Sequence, residues 1–322
     1  MPSGLTHIML VDEFISSLWE NSPENPVVDI FQNNYECFLT GSVGPDLPYA
    51  SEIDVDFFTK QTELADLFHY ETTNQIPLKA FEQIEAMPNS DIKNKLFSFF
   101  LGYSSHIIAD GIIHPFVRDK IGEYQTHSAE HRGLELTLDV LIHDYFHSDN
   151  GTSDIRKYNK QDIFKDFLML PEKTLIVDLF SNLISDVYGK QASSGRIKIW
   201  IRGIYDAFNF TTGDWPKWTR KNDLVRSYLT PNISDVINEK DKYLILTTPK
   251  YWNENFLKRD SISLTKDCIP QFFKVMKAFS QKAYSFVYDM GVELTGKDLP
   301  NINLDNGLLH CQTPRLWEKS YE

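Results

Sequence analysis

Eight of the nine histidines fall within the first 147 residues, and their spacing is where chemistry shows. His106, Asp110 and His114 recur every four residues. At about 100° per residue that places three donors on one slowly drifting stripe of a helix. His131 and Glu135 repeat the spacing further on, extended by His127 before them and Asp139 after. Imidazole nitrogens and carboxylate oxygens are the donors that zinc takes, and two neighbouring antiparallel helices would aim six or seven of them at one another. Asp110 is embedded in GYSSHIIADGIIHPF, among apolar and small residues where a bare charge is costly and must be paired or metal-bound. For any single histidine, a buried Asp-His network stapling two helices is the simpler reading. The whole set, with further acids and His69, favours metal.

The elements that must carry these residues read as helices. Apolar periodicity predicts a first helix over roughly Leu5 to Trp19, closed by the polar Asn21-Ser22-Pro23 stretch. TGSVGPDLPY, with two glycines and two prolines, reads as a loop with Asp46 at its tip. A buried helix is expected from about Lys93 to His114, ended by Pro115, and a second from His127 to about Phe146. The SDNGTSD stretch then suggests a boundary between a metal-binding helical core, 1–147, and a helical remainder, 148–322, packed on it as one catalytic unit. In that remainder, helices are expected near 160–170, 173–189 and 195–208, followed by an irregular aromatic stretch around Trp215 and Trp218. Over 264–290 the stripe Phe272, Met276, Phe279, Ala283, Phe286 and Met290 is a packing face. From Gly291 onward, PNINLDNG reads as loop. No run of alternating strands or internal repeat interrupts this all-α pattern.

Composition bounds the function. With 42% hydrophobic and 24% charged residues over 322 positions, the chain is globular, and no stretch approaches about twenty consecutive apolar residues. A net charge of -13 disfavours nucleic acid and anionic lipid surfaces. Cys37, Cys268 and Cys311 are too few and too scattered for a disulfide framework or a thiolate metal knuckle. The start lacks a basic leader and a long apolar core, so cytoplasmic synthesis is expected, with leaderless export left open.

An early His in THI, then GSVGPD, HIIADGIIH and HRGLE, in that order, resemble the zinc-dependent phospholipase C family, which shares its helical fold with single-strand-specific zinc nucleases. The resemblance covers residues 1–139 and implies two to three Zn2+ ions. It implies a first ion held by Asp46, His69, His106 and Asp110, and a second by His114, His131 and Glu135. A third would be held by His7, with Asp110 bridging. His69 matches by order rather than by local pattern, so a plain interface histidine is the alternative there. Secreted family members bind the third ion through an N-terminal Trp. No Trp precedes His7, but loss of Met1 would leave the Pro2 amine five residues before it, the spacing of the nuclease branch.

The resemblance further implies an all-α phosphodiester hydrolase acting on phospholipid, with transient membrane contact, that releases diacylglycerol and a phosphorylated headgroup such as phosphocholine. Asp46 would be both ligand and general base. A single-strand nuclease is the alternative enzyme, faintly supported by Lys217, Arg220 and Lys221 near Trp215 and Trp218; a noncatalytic metal-stapled scaffold is the third reading. Tyr49, Phe68, Tyr70 and Phe116 adjoin the ligands but read as core. His143-Asp144 suggests a surface or supporting role, His147 and His310 read as solvated, and Asp139 as either an acid orienting a ligand or a surface acid. The sequence leaves headgroup preference and oligomeric state open.

Overall fold

The computed structural model describes residues 4–52, 62–122, 126–148, 154–158, 160–213, 229–247, 261–289 and 291–309. Within them the fold is all-α. The β-structure among these residues is a two-stranded antiparallel ribbon, Ile245–Leu246 with Ile262–Ser263, and one isolated bridge between Ile302 and Leu309. In chain order the helices are α1 (Gly4–Asn21), α2 (Pro26–Asn33), α3 (Tyr35–Gly41), a 3-10 helix (Gly44–Glu52), α4 (Thr62–Tyr70), α5 (Gln75–Glu85) and α6 (Asp91–Ile121). They continue with α7 (Ser128–His147), α8 (Ile163–Met169), α9 (Lys173–Tyr188), α10 (Ser194–Thr212) and α11 (Ile269–Tyr284), with short helical segments among the described residues between the last two.

Helix α6 is the axis. It starts where the Ser90 side chain accepts from the Lys93 N–H, a capping arrangement that satisfies one of the helix's orphan donors. It ends at Gly122, whose φ of 98° suits glycine alone. Nearly every residue from Lys93 to Arg118 is buried, because α6 is enclosed by α1, α2, α3, α5, α7 and α11. It is long and apolar enough to cross a membrane, yet that apolar stretch is wholly buried inside the protein.

The expected stop at Pro115 does not occur. Pro115 cannot donate to the Gly111 carbonyl, but the backbone of Gly307, arriving from the C-terminal segment, packs on this spot. A Cβ at 307 would meet Pro115 Cγ at 2.6 Å and the Gly111 oxygen at 2.8 Å. Tertiary packing on both sides therefore carries the helix onward through buried Phe116, Val117 and Arg118.

The expected 40–49 loop is also corrected. Thr40 and Gly41 end α3, and Gly44–Glu52 winds into a 3-10 helix. Gly41 is a contact residue. A Cβ there would sit 2.0 Å from the Phe99 carbonyl oxygen, and one at Gly102 would sit 2.1 Å from the Phe38 oxygen. The α3 and α6 backbones can thus touch only because both positions lack a side chain.

The second half closes around this core. α8 packs on α3, α10 on the 3-10 helix, α9 on α5, and α11 on α6 and α2. Phe272, Met276, Phe279 and Ala283 are buried as the stripe predicts, while Phe286 is half-buried and Met290 lies outside the described residues. The SDNGTSD stretch and the Trp215 to Lys221 segment lie mostly or wholly outside them too. The tail expected as plain loop is irregular but buried through Leu299, Ile302 and Leu304.

Candidate metal centre

Five elements deliver the sequence-predicted ligands to one interior region. α1 brings His7, the 3-10 helix Asp46, α4 His69, α6 the stripe His106, Asp110 and His114, and α7 His131 with Glu135. All eight are buried. They form three groups of close donor atoms: His7 with His106 and Asp110, Asp46 with His69 and His106, and His114 with His131 and Glu135.

The glycine-permitted crossing of α3 and α6 sets the first two groups. It puts the Ser42 carbonyl 2.8 Å from His106 Nδ1, and the Ala65 carbonyl takes His69 Nδ1 at 2.7 Å. With Nδ1 donating, each ring turns Nε2 inward. His69 Nε2 lies 3.2 Å from Asp46 Oδ1, and His106 Nε2 lies 3.2 Å from Asp110 Oδ2 and 3.8 Å from Asp46 Oδ1. His7 stacks on His106 with centroids 3.8 Å apart and brings its Nε2 to 3.2 Å from Asp110 Oδ1. Asp110 therefore divides its two oxygens between His7 on one side and His106 on the other. In the remaining group His131 Nε2 is 3.1 Å and His114 Nε2 3.8 Å from Glu135 Oε1.

This donor set fits zinc. Tetrahedral ligands with bonds of about 2.0–2.1 Å lie about 3.3 Å from one another, and the nitrogen–oxygen separations here bracket that value. Both Asp110 oxygens and the Nε2 atoms of His7, His69, His106 and His114 are buried without a hydrogen bond among the described residues, which is costly unless something else binds them. The rings of His69 and His106 are pre-turned by backbone carbonyls, as metal-binding imidazoles usually are.

The electrostatics differ between the groups. Burial opposes ionisation of Asp46 and Asp110, yet the facing histidines hold both carboxyls below their usual range, Asp110 well below. Burial likewise works against charge on His106, but Asp110 and Asp46 raise it above the ordinary imidazole value. Burial and His106 hold His7 low. Around the other group burial dominates. It lowers His131 to about 2, holds His114 well below its usual value, and pushes Glu135 up to about 8.

Several expectations need correction. Asp139 is not a surface acid; it is buried and accepts from the Thr6 N–H at 3.1 Å and the Thr6 hydroxyl at 2.7 Å, pinning the first turn of α1 beside His7. His143 is buried rather than superficial, and His147 is half-buried rather than solvated, its ring edge-on to His143 and stacked with Tyr158. His127 is exposed at the start of α7, and His310 and Pro2 lie outside the described residues. Phe68 and Phe116 are core, whereas Tyr49 is only half-buried, its ring 5.6 Å from that of His69.

Two residues beside the centre were missed. Arg118 continues the four-residue stripe of α6 beyond His114, a signal that the assumed stop at Pro115 concealed. It is buried and ion-paired with Asp305 of the tail, which also lies 3.9 Å from His114 Nδ1. No local pattern marks Asp305.

A cavity of about 890 Å³ lined by Lys120, Leu134, Leu229 and Tyr243 is not this centre. Its α7 residues Gly133 and Thr137 lie on the face opposite His131 and Glu135.

No curated protein and no solved structure matches the chain. A family model described as zinc dependent phospholipase C matches residues 6–194.

Proposed function

The chain belongs to the zinc-dependent phospholipase C family, and from that premise we propose that it hydrolyses phospholipid between glycerol and phosphate, releasing diacylglycerol and a phosphorylated headgroup such as phosphocholine. The observation that carries the reading is the set of inward-facing, buried imidazole and carboxylate atoms that need a cation and are spaced for zinc. Zinc held there would supply positive charge for the phosphoryl oxygens and a hydroxide-like nucleophile near neutral pH.

The chain's own residues do the rest. Asp46, held ionised by His106 and His69, is an acceptor throughout the neutral range and can orient the attacking water. Its 3-10 helix is fixed from behind by α10, where Gly203 lets the Ala50 carbonyl approach to within 2.7 Å of where a Cβ would stand. His131 and His114 are kept unprotonated by burial and are ready as neutral donors. The enclosing apolar helices exclude bulk water, which strengthens every charge interaction inside. Choline as headgroup is supported by the acidic balance of the chain and by Tyr49 beside His69, since an aromatic face attracts a quaternary ammonium. A net charge of -13 favours brief contact with zwitterionic rather than anionic lipid surfaces.

Elemental analysis of protein purified without added metal, with phosphatidylcholine hydrolysis measured before and after chelation, tests this. Zinc with chelator-sensitive hydrolysis is the expected result, with hydrolysis lost in His106→Ala and Glu135→Ala. Bound zinc without hydrolysis of any phosphodiester would reduce the centre to a structural staple.

A further inference from the structure

His114 differs from His69 and His106 in how its far nitrogen is treated, and a buried carboxylate of the C-terminal segment faces that nitrogen. His69 and His106 each give Nδ1 to a backbone carbonyl. His114 Nδ1 has no hydrogen-bond partner among the described residues, and the polar atom facing it is Asp305 Oδ1, at 3.9 Å. That oxygen is equally buried without a hydrogen bond, while the second oxygen of Asp305 is held by Arg118, one turn beyond His114 on α6. The gap is within a small side-chain adjustment of a hydrogen bond.

The delivery of this carboxylate is built with care for position. Asn303 Oδ1 accepts from the Asp305 and Asn306 N–H groups, the Gly307 N–H donates to the Asn303 carbonyl, and the Asn303 N–H donates to that of Leu308. The closed turn is docked by the Leu304 N–H on the His69 carbonyl at 2.8 Å, and its base by Thr73 and Asn74 on residues 299–302. Gly307, at φ 68°, lets it seat against Pro115. A plug that only filled space would present an apolar tip; this one carries an acid into an interior already rich in acids.

Resting on the reading of His114, His131 and Glu135 as a zinc group, we propose that Asp305 is the positioning residue for His114: it accepts the Nδ1 proton, fixes the ring with the Nε2 lone pair toward the ion, and is itself steadied by Arg118. A carboxylate behind a metal-bound imidazole raises its basicity and sets its tautomer. The C-terminal turn, which lies beyond residues 6–194, thereby completes a centre whose ligands all come from the first 135 residues.

The test uses the full chain, stripped by chelator and titrated with Zn2+ against a competing chelator. In Asp305→Asn, which keeps the shape and removes the charge, affinity at one group is expected to fall about 10- to 100-fold. The groups built on His106 should be unchanged, so one ion fewer is retained per chain. Affinities within twofold of the parent for every ion would overturn the proposal. A parent chain that binds no zinc would instead overturn the metal reading beneath it. Should Asp305→Asn fail to fold, the zinc-loaded parent decides by NMR. A slowly exchanging, downfield Nδ1–H of His114 is expected, and one that exchanges freely with water would refute the role.

Discussion

At the scale of single residues, the two kinds of candidate metal group store their protons differently. Around His106, the carboxylates are ionised and a proton on imidazole is the natural stand-in for a cation, since it occupies the same Nε2 that a metal would take. Around Glu135, burial places the proton on the carboxyl, raised to about 8, and leaves both histidines neutral. Zinc binding there at pH 7 must displace that proton. About one proton should be released per ion at this group, and nearly none at pH 9, where Glu135 is already ionised. Calorimetry in buffers of different ionisation enthalpy measures this, and pH-independent release would contradict the assignment. The same raised value sets a sign for the metal-free protein. Glu135 binds a proton in the folded chain that the unfolded chain has lost, so its contribution is fully present below about 4.5 and disappears as pH rises through about 8. Asp110 runs the other way: its lowered value contributes above the ordinary carboxyl range and is lost only as pH falls through the folded value. Below about 6.5 the lowered values of His131 and His114 work in the opposite direction, so the Glu135 contribution should show as a loss of stability of the chelated protein between about pH 6.5 and 8, and Glu135→Gln should flatten that slope.

At the scale of elements, the centre depends on how closely α3 and α6 approach. Gly102→Ala would gain about 1 kcal/mol in helix propensity. Its Cβ would stand 2.1 Å from the Phe38 oxygen, a backbone atom with no rotamer to yield, and overpacking costs about 1–3 kcal/mol or more. The clash should win. A lower denaturant midpoint is expected, together with weaker zinc binding, because separating the helices draws the Ser42 carbonyl away from His106 Nδ1. Unchanged zinc affinity in a destabilised variant would separate the crossing from the site. The stripes on α6 and α7 were legible because a period near 3.6 writes itself into spacing whatever the partners are. The course of α6 past Pro115 was not, because a local helix-stop rule lost to packing by Gly307 from nearly two hundred residues away. Asp46 was found through the family resemblance but set on a loop, since two prolines and two glycines signal a turn without revealing that α10 would pack it into a 3-10 helix. Asp305 carries no periodicity at all; only the folded turn aims it.

At the scale of the whole molecule, the second half of the chain is what holds the candidate ligands of the first in place. The family match ends at residue 194, where α10 is only beginning, yet α10 packs on the helix carrying Asp46, with Gly203 against Ala50, and its Trp200, Ile201 and Phe208 are buried. A fragment ending at 194 would uncover that surface and the α6 face covered by α11, so it is expected to lack near-UV circular dichroism and a cooperative transition. In the full chain, the ligands are spread over α1, the 3-10 helix, α4, α6 and α7, so no element can leave without dismantling a group. Zinc should then act on unfolding as a ligand of the native state alone. Free zinc at a hundred times its dissociation constant adds about 2.7 kcal/mol per site, which for a chain of this length raises the melting temperature by several degrees. Scanning calorimetry across a series of buffered zinc concentrations should show one transition that climbs with free zinc and drops on chelation. A transition that stays fixed while the metal is removed would mean that the ions sit on a framework already complete without them, and the cost of burying Asp46 and Asp110 would have to be met by imidazole protons alone.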